Sequence, residues 1–150
     1  MRALALTVTM CVTVAAGCKY KAGYYDDDKK AALVALDVLH QRLSDGEFEA
    51  IYDDASPAVR ARPKEAVIAA MADTRAKWGR FIKAEVKASS CFPNEVRFVV
   101  EAQFEKGVAG EMIIFHVPAD KAHLEHFEIN PGPAPLPRPG SANECKPPSG

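Results

Sequence analysis

The stretch that decides the fold is EVRFVVEAQFEKGVAGEMIIFHV, residues 95–117. Apolar and polar side chains alternate through residues 95–104, which is the period of a strand with one buried face. Lys106 and Gly107 predict a tight turn, after which residues 108–117 predict a second strand. Its middle, MIIF, is continuously apolar, so we expect a central strand that is covered on both faces.

Two further strands flank this hairpin. Residues 81–88 predict a strand before it and residues 123–129 predict one after it, with turn residues at 118–121. Cys91 is thereby expected in the loop between the first two strands. Four consecutive strands joined by short connections predict an antiparallel meander.

Upstream of residue 80 the apolar residues recur at helical spacing, and the predicted fold class is therefore α+β. Ser56 and Pro57 predict an extra helical turn, because serine caps a helix and proline suits its first position. Gly46 and Gly79 predict helix ends. Trp78 is expected to be buried where the last helix meets the first strand. The predicted helices span residues 29–43, 47–55 and 63–78.

The first residues predict export from a bacterial cytoplasm. Residues 3–16 are uncharged but too few to span a bilayer, so residues 1–17 are expected to be a signal peptide. The motif AAGC, residues 15–18, resembles the bacterial lipobox. This resemblance implies cleavage between Gly17 and Cys18 and attachment of lipid, including palmitate, to Cys18. Ala15 stands where leucine is usual, and an ordinary secretory signal that leaves a free protein is the alternative.

A lipidated Cys18 implies a protein of the bacterial cell envelope that is held at the membrane surface. Lys19 follows it instead of aspartate, which by resemblance implies the outer membrane, with the domain facing the periplasm. Residues 18–28 are predicted to be a polar tether. It ends in an aspartate triplet, residues 26–28, that is expected to cap the first helix, with metal binding as the alternative.

Cysteine usage predicts one disulfide. Cys11 leaves with the signal peptide and Cys18 carries lipid, which leaves Cys91 and Cys145 in an oxidising compartment. To reach Cys91, the proline-rich tail of residues 131–150 must return over a distance on the order of 30 Å. In extended form the segment from Pro131 to Cys145 reaches roughly 40 Å. Two alternatives to this bond stay open, a bond to another chain and a buried free Cys91. For the tail itself, a wrapped or loose segment is expected, with recognition as a PxxP ligand as the alternative.

Composition disfavours some functions. The net charge is −1, from 19 basic and 20 acidic residues without a basic stripe, so we expect no nucleic-acid partner. No nucleophile elbow, phosphate-binding loop, dinucleotide fingerprint or zinc-protease motif is present in the sequence, and we expect no cofactor.

Asp53 and Asp54 are candidate catalytic carboxylates, but a polar helix end is the expected role.

Three histidines are the candidate metal ligands. His116, His123 and His126 lie on adjacent predicted strands, where imidazoles could meet. Because His123 and His126 have opposite parity, we expect them to point to opposite faces. At most two of the three histidines then share a face, too few for a convincing metal site, and we expect none. Glu111 and Glu128 are expected to be surface or rim charges.

Four segments resemble the NTF2-like (cystatin-like) superfamily, and within it a group of small bacterial exported lipoproteins: LSDGEFEAIY (43–52), WGRF (78–81), QFEKG (103–107) and EMIIF (111–115). The resemblance covers about residues 29–130 and implies a curved sheet that wraps a long helix to form a cone. Members include isomerases, dehydratases, ligand binders and interaction domains.

The function implied is non-catalytic binding of a small apolar ligand, or of a protein partner, through the cone or the open sheet face. An isomerase- or dehydratase-like enzyme with polar groups in the cone is one alternative. A structural homodimer formed through the sheet face is another.

Overall fold

The computed structural model describes residues 25–135 and residue 145. Helices come first and strands follow, so the predicted α+β order is confirmed. The elements are α1 (Tyr25–Asp45), α2 (Phe48–Asp54), α3 (Pro57–Arg60), α4 (Lys64–Trp78), β1 (Phe81–Phe92), β2 (Glu95–Phe104), β3 (Gly107–His116) and β4 (His123–Pro131).

The strands form one open antiparallel sheet in the order β1-β2-β3-β4, which is the predicted meander. Helix α1 lies on one face of this sheet and contacts β1, β2 and β4. We call this the inner face, and the opposite one the outer face. The inner side chains of β2 are those that the alternation predicts: Val96, Phe98, Val100, Ala102 and Phe104.

Helix α1 begins at Tyr25, four residues before the predicted start. The aspartate triplet therefore lies inside its first turn, where carboxylates still favour the helix dipole. The predicted tether, residues 18–28, is correspondingly too long at its end, and residues 1–24 lie outside the described residues. The helix buries the stripe of Ala32, Leu36, Leu39 and Leu43.

The junctions between the next helices follow the sequence closely. Ser56 caps α3 by accepting a hydrogen bond from the Val59 N–H at 3.4 Å. The Ser56 N–H donates to the Leu124 carbonyl at 2.9 Å, which joins this corner to β4. Gly79 ends α4 with φ of 78°, and a Cβ there would lie 2.9 Å from Glu105 Cβ. Glycine is therefore required at this position on two grounds.

Two strand predictions are wrong. Strand β1 continues to Phe92, so Cys91 lies in the strand, paired with Val96, and not in the following loop. Strand β3 is central but not covered on both faces, because Met112 on its outer face is 40% exposed. The outer face is covered at Gly110, where an added Cβ would lie 2.9 Å from the Ala134 Cα.

Trp78 is buried at the join between α4 and the sheet, as predicted. Its side chain is 7% exposed, and its ring centroid lies 6.0 Å from that of Phe104. Gly107 lies beside the same ring, so the β2–β3 turn closes over the end of α4. The Trp78 Nε1 has no hydrogen-bond partner among the described residues.

Replacing Trp78 with alanine is expected to lower the free energy of unfolding by about 3 kcal/mol. This value is at the low end of the range for truncating a buried tryptophan to alanine. Truncation also removes a buried N–H without a partner, which offsets part of the loss. Urea unfolding followed by circular dichroism measures it, since Trp78 is the only tryptophan and its fluorescence is lost. Asp73→Ala, at an exposed position of the same helix, is the control. An unchanged midpoint for Trp78→Ala contradicts the packing.

Candidate functional site

A groove of about 380 Å³ opens between α1, α2 and the β3–β4 end of the sheet. Its lining includes residues of the buried core, among them Leu39, Ile51 and Phe115. Val34 and Val38 of α1 are 66% and 40% exposed and form its outer wall. The apolar lining also includes Ala31, Ala35, Leu39, Ile51, Phe115, Ala122 and Leu124.

Charged side chains lie along the rim of this groove. Arg42 of α1 donates to Asp54 Oδ2 at 2.8 Å, and Lys121 of the β3–β4 turn donates to Asp54 Oδ1 at 2.6 Å. The hydrogen bond from Lys121 and, after it, the hydrogen bond from Arg42 lower the pKa of the Asp54 carboxyl below its ordinary value of 3.8. Asp54 is the last residue of α2, so the expected polar helix end is confirmed.

The neighbouring Asp53 faces away from the groove. Its Oδ1 accepts a hydrogen bond from Lys64 Nζ at 3.2 Å, which connects α2 to the start of α4. The two aspartates thus have different partners, and only Asp54 lines the groove.

A second polar feature is the buried pair of His40 and Glu111, which lie 71 residues apart in sequence. His40 Nε2 and Glu111 Oε2 are 2.8 Å apart, and the two side chains are 1% and 0% exposed. The His40 ring stacks on Phe81, with centroids 4.1 Å apart and planes 5° apart. Glu111 Oε1 has no hydrogen-bond partner among the described residues.

The expectation that Glu111 is a surface or rim charge is therefore wrong. The register places it opposite Val100, on the inner face of the sheet. The signal was present in the sequence, since Glu111 shares the parity of Ile113 and Phe115, and His40 follows Leu36 by one helical turn. Glu128, by contrast, is exposed, as expected.

Neither His40 nor Glu111 lines the groove, and both are shut off from solvent. A substrate that cannot reach this buried pair cannot exchange a proton with it. Its role in this arrangement is to connect α1 to β3 through one hydrogen bond inside the core.

The parity argument for the histidines is wrong. A bulge in β4 places His126 opposite Ile114 and His123 opposite His116, so the register puts all three on one side of the sheet. Their ring nitrogens nevertheless have separate neighbours. His123 Nδ1 lies 2.7 Å from the Asp54 carbonyl, and the nearest carboxylates to the other two are 3.7 Å or more away. Within residues 25–135 and 145, no cluster of three metal-ligating side chains is found.

Cys91 and Cys145 are joined by a disulfide in the structure, with Cα atoms 4.9 Å apart. Cys91 lies at one end of the sheet, whereas the end of β4, at Pro131, pairs with Ala109 near the other. The predicted bond therefore joins Cys145 to the end of the sheet away from Pro131, and residues 136–144 lie outside the described part of the chain. Gly17 and Cys18, the predicted cleavage and lipidation residues, also lie outside it.

Comparisons with known proteins identify no relative. No family model, no curated protein and no solved structure matches this chain. None of the helices within residues 25–135 has the length and apolar character needed to cross a bilayer.

Proposed function

We propose that this chain is a lipid-anchored domain of the bacterial cell envelope that binds a small apolar ligand, on an NTF2-like plan. The observation that carries the proposal is the groove beside α1, whose walls are apolar and whose charged groups are confined to the rim. Small-molecule sites typically combine such walls with a few polar groups that orient the ligand. The order of helices and meander agrees with the NTF2-like plan, and the anchor would be Cys18.

The same geometry favours binding over catalysis. An enzyme of the isomerase or dehydratase kind needs a carboxylate or imidazole that contacts its substrate. The buried His40–Glu111 pair is closed to solvent, and Asp54 at the rim is occupied by two cations. The groove therefore supports ligand binding better than the enzymatic alternative.

Val38→Glu is expected to weaken binding of the neutral fluorescent probe N-phenyl-1-naphthylamine by about tenfold or more, because a charge in an apolar wall loses hydration. Fluorescence titration of the Cys18→Ser protein measures it. The matched control is Val108→Glu, since Val108 is 42% exposed, like Val38, but lies on the outer face of the sheet. Equal losses for the two variants, or no binding by the parent protein, contradict the proposal.

The anchor has its own test. Cys18→Ser is expected to abolish incorporation of labelled palmitate and to leave an uncut or released protein, because the thiol that accepts lipid is gone. Mass spectrometry of the mature N-terminus checks the parent protein. A mature chain without lipid mass that still partitions with membranes contradicts lipidation at this residue.

The outer face of the sheet favours a second candidate, a protein partner or a second copy of the chain. Val108 and Met112 share the outer face of β3 and are 42% and 40% exposed, and Phe92 and Ile82 of β1 are also exposed. Native mass spectrometry of protein purified from its own host separates the two candidates, since it measures both subunit count and any carried ligand.

A further inference from the structure

We infer that the occupant of the groove is a single-chain anionic amphiphile, a fatty carboxylate, whose head binds Arg42 and Lys121 in place of Asp54. This inference rests on the proposed function and names its ligand class. It also assigns Asp54 a role, which is that of an internal competitor for the two cations.

The rim is already arranged around a carboxylate. Arg42 and Lys121 approach Asp54 from different elements, and each donates to a different oxygen, at 2.8 and 2.6 Å. Charge-assisted bonds of this kind are the strongest that a carboxylate accepts from side chains. A ligand carboxylate at this place would meet the same two donors.

The walls select the rest of the ligand. Val34 and Val38 lie exposed along one side of α1, and Phe115 and Leu124 face the groove from the sheet. An acyl chain on these residues would bury apolar area on both sides at once. A volume of about 380 Å³ is near the lower limit of small-ligand sites, which suits one chain better than two.

Charge balance explains why the ligand must replace Asp54. The lining includes two cations, Arg42 and Lys121, and two carboxylates, Asp54 and Asp120, so its formal charges sum to zero. An anion added beside Asp54 would gain little electrostatic stabilisation. An anion that displaces Asp54 would instead accept the hydrogen bonds of Arg42 and Lys121. The Asp54 carboxyl, whose pKa these two cations lower, competes with the ligand as an ionised carboxylate at neutral pH.

The experiment compares two ligands of equal chain length, dodecanoate and dodecan-1-ol, as displacers of N-phenyl-1-naphthylamine from the Cys18→Ser protein. Asp54→Asn is expected to tighten dodecanoate binding about three- to fivefold, the range for a partly exposed charge pair. It should leave dodecanol binding unchanged. Lys121→Gln, at a largely exposed side chain, is expected to weaken dodecanoate binding by a similar factor without affecting dodecanol.

Asp53→Asn is the matched control, because Asp53 adjoins Asp54 in sequence but pairs with Lys64 outside the groove. If Asp53→Asn tightens dodecanoate as much as Asp54→Asn does, general electrostatics explain the effect and the inference is wrong. Equal affinities for both ligands in all variants also overturn it, while the proposed function stands. If neither the fluorescent probe nor either ligand binds, the proposed function fails with it. Binding to phosphatidylglycerol vesicles but not to monomeric dodecanoate assigns the rim to a membrane surface instead.

Discussion

Replacing Glu111 with alanine is expected to lower the free energy of unfolding by about 3–5 kcal/mol, the typical cost of breaking a buried pair. The variant leaves His40 in the core without the acceptor that now lies 2.8 Å from its Nε2. It also opens a cavity opposite Val100, at a position where Glu111 is fully buried. Urea unfolding of the Cys18→Ser protein, followed by Trp78 fluorescence, measures the change.

A double-mutant cycle separates the pair from simple loss of packing. His40→Leu and Glu111→Leu should each destabilise strongly, whereas the double variant should be close to the parent, because two apolar side chains need no partner. Glu128→Ala, at an exposed glutamate of β4, is the control and is expected to change stability by less than about 0.5 kcal/mol. Additive losses in the double variant contradict a coupled pair.

Removing the disulfide, in a Cys91→Ala/Cys145→Ala variant, is expected to cost roughly 4 kcal/mol in the chain-entropy model. The bond spans 54 residues, and its loss frees the unfolded chain from a long closed loop. Alanine is chosen because both cysteines are buried, and a serine hydroxyl there would need a partner. Urea midpoints of variant and parent give the difference.

Reductant supplies the control for this variant. It should lower the stability of the parent to that of the double variant, and should leave the double variant unchanged. Non-reducing peptide mapping tests the pairing directly. Free thiols at both positions, or a covalent dimer that reductant dissolves, contradict the intramolecular bond.

Local pattern was sufficient for most elements of this fold. The alternation of residues 95–104 predicts β2 with its observed bounds and buried face. Ser56 and Pro57 locate the start of α3, and Gly79 locates the end of α4 before β1, because their conformational preferences act within one turn of chain. The partners of the disulfide follow from counting the cysteines, provided that Cys11 and Cys18 are otherwise accounted for.

Register and strand length could not be predicted in the same way. Strand β1 extends to Phe92 because β2 offers it partners up to the tight turn at Asn94, and a strand ends where pairing ends. The bulge in β4 reverses the parity on which the argument about His123 and His126 depended. Both features belong to pairs of strands, and neither leaves a periodic signal in one strand alone.

The amino-acid sequence by itself determined the α+β order and the helix stripes, since both depend on local periodicity. Counting the cysteines predicted the pair of Cys91 and Cys145, but only the structure joins them. Only the tertiary structure decided the two polar arrangements, His40 with Glu111 and Asp54 between Arg42 and Lys121. These contacts join elements far apart in sequence. Their geometry depends on how α1 packs on the sheet and on where the β3–β4 turn ends, which no local pattern specifies.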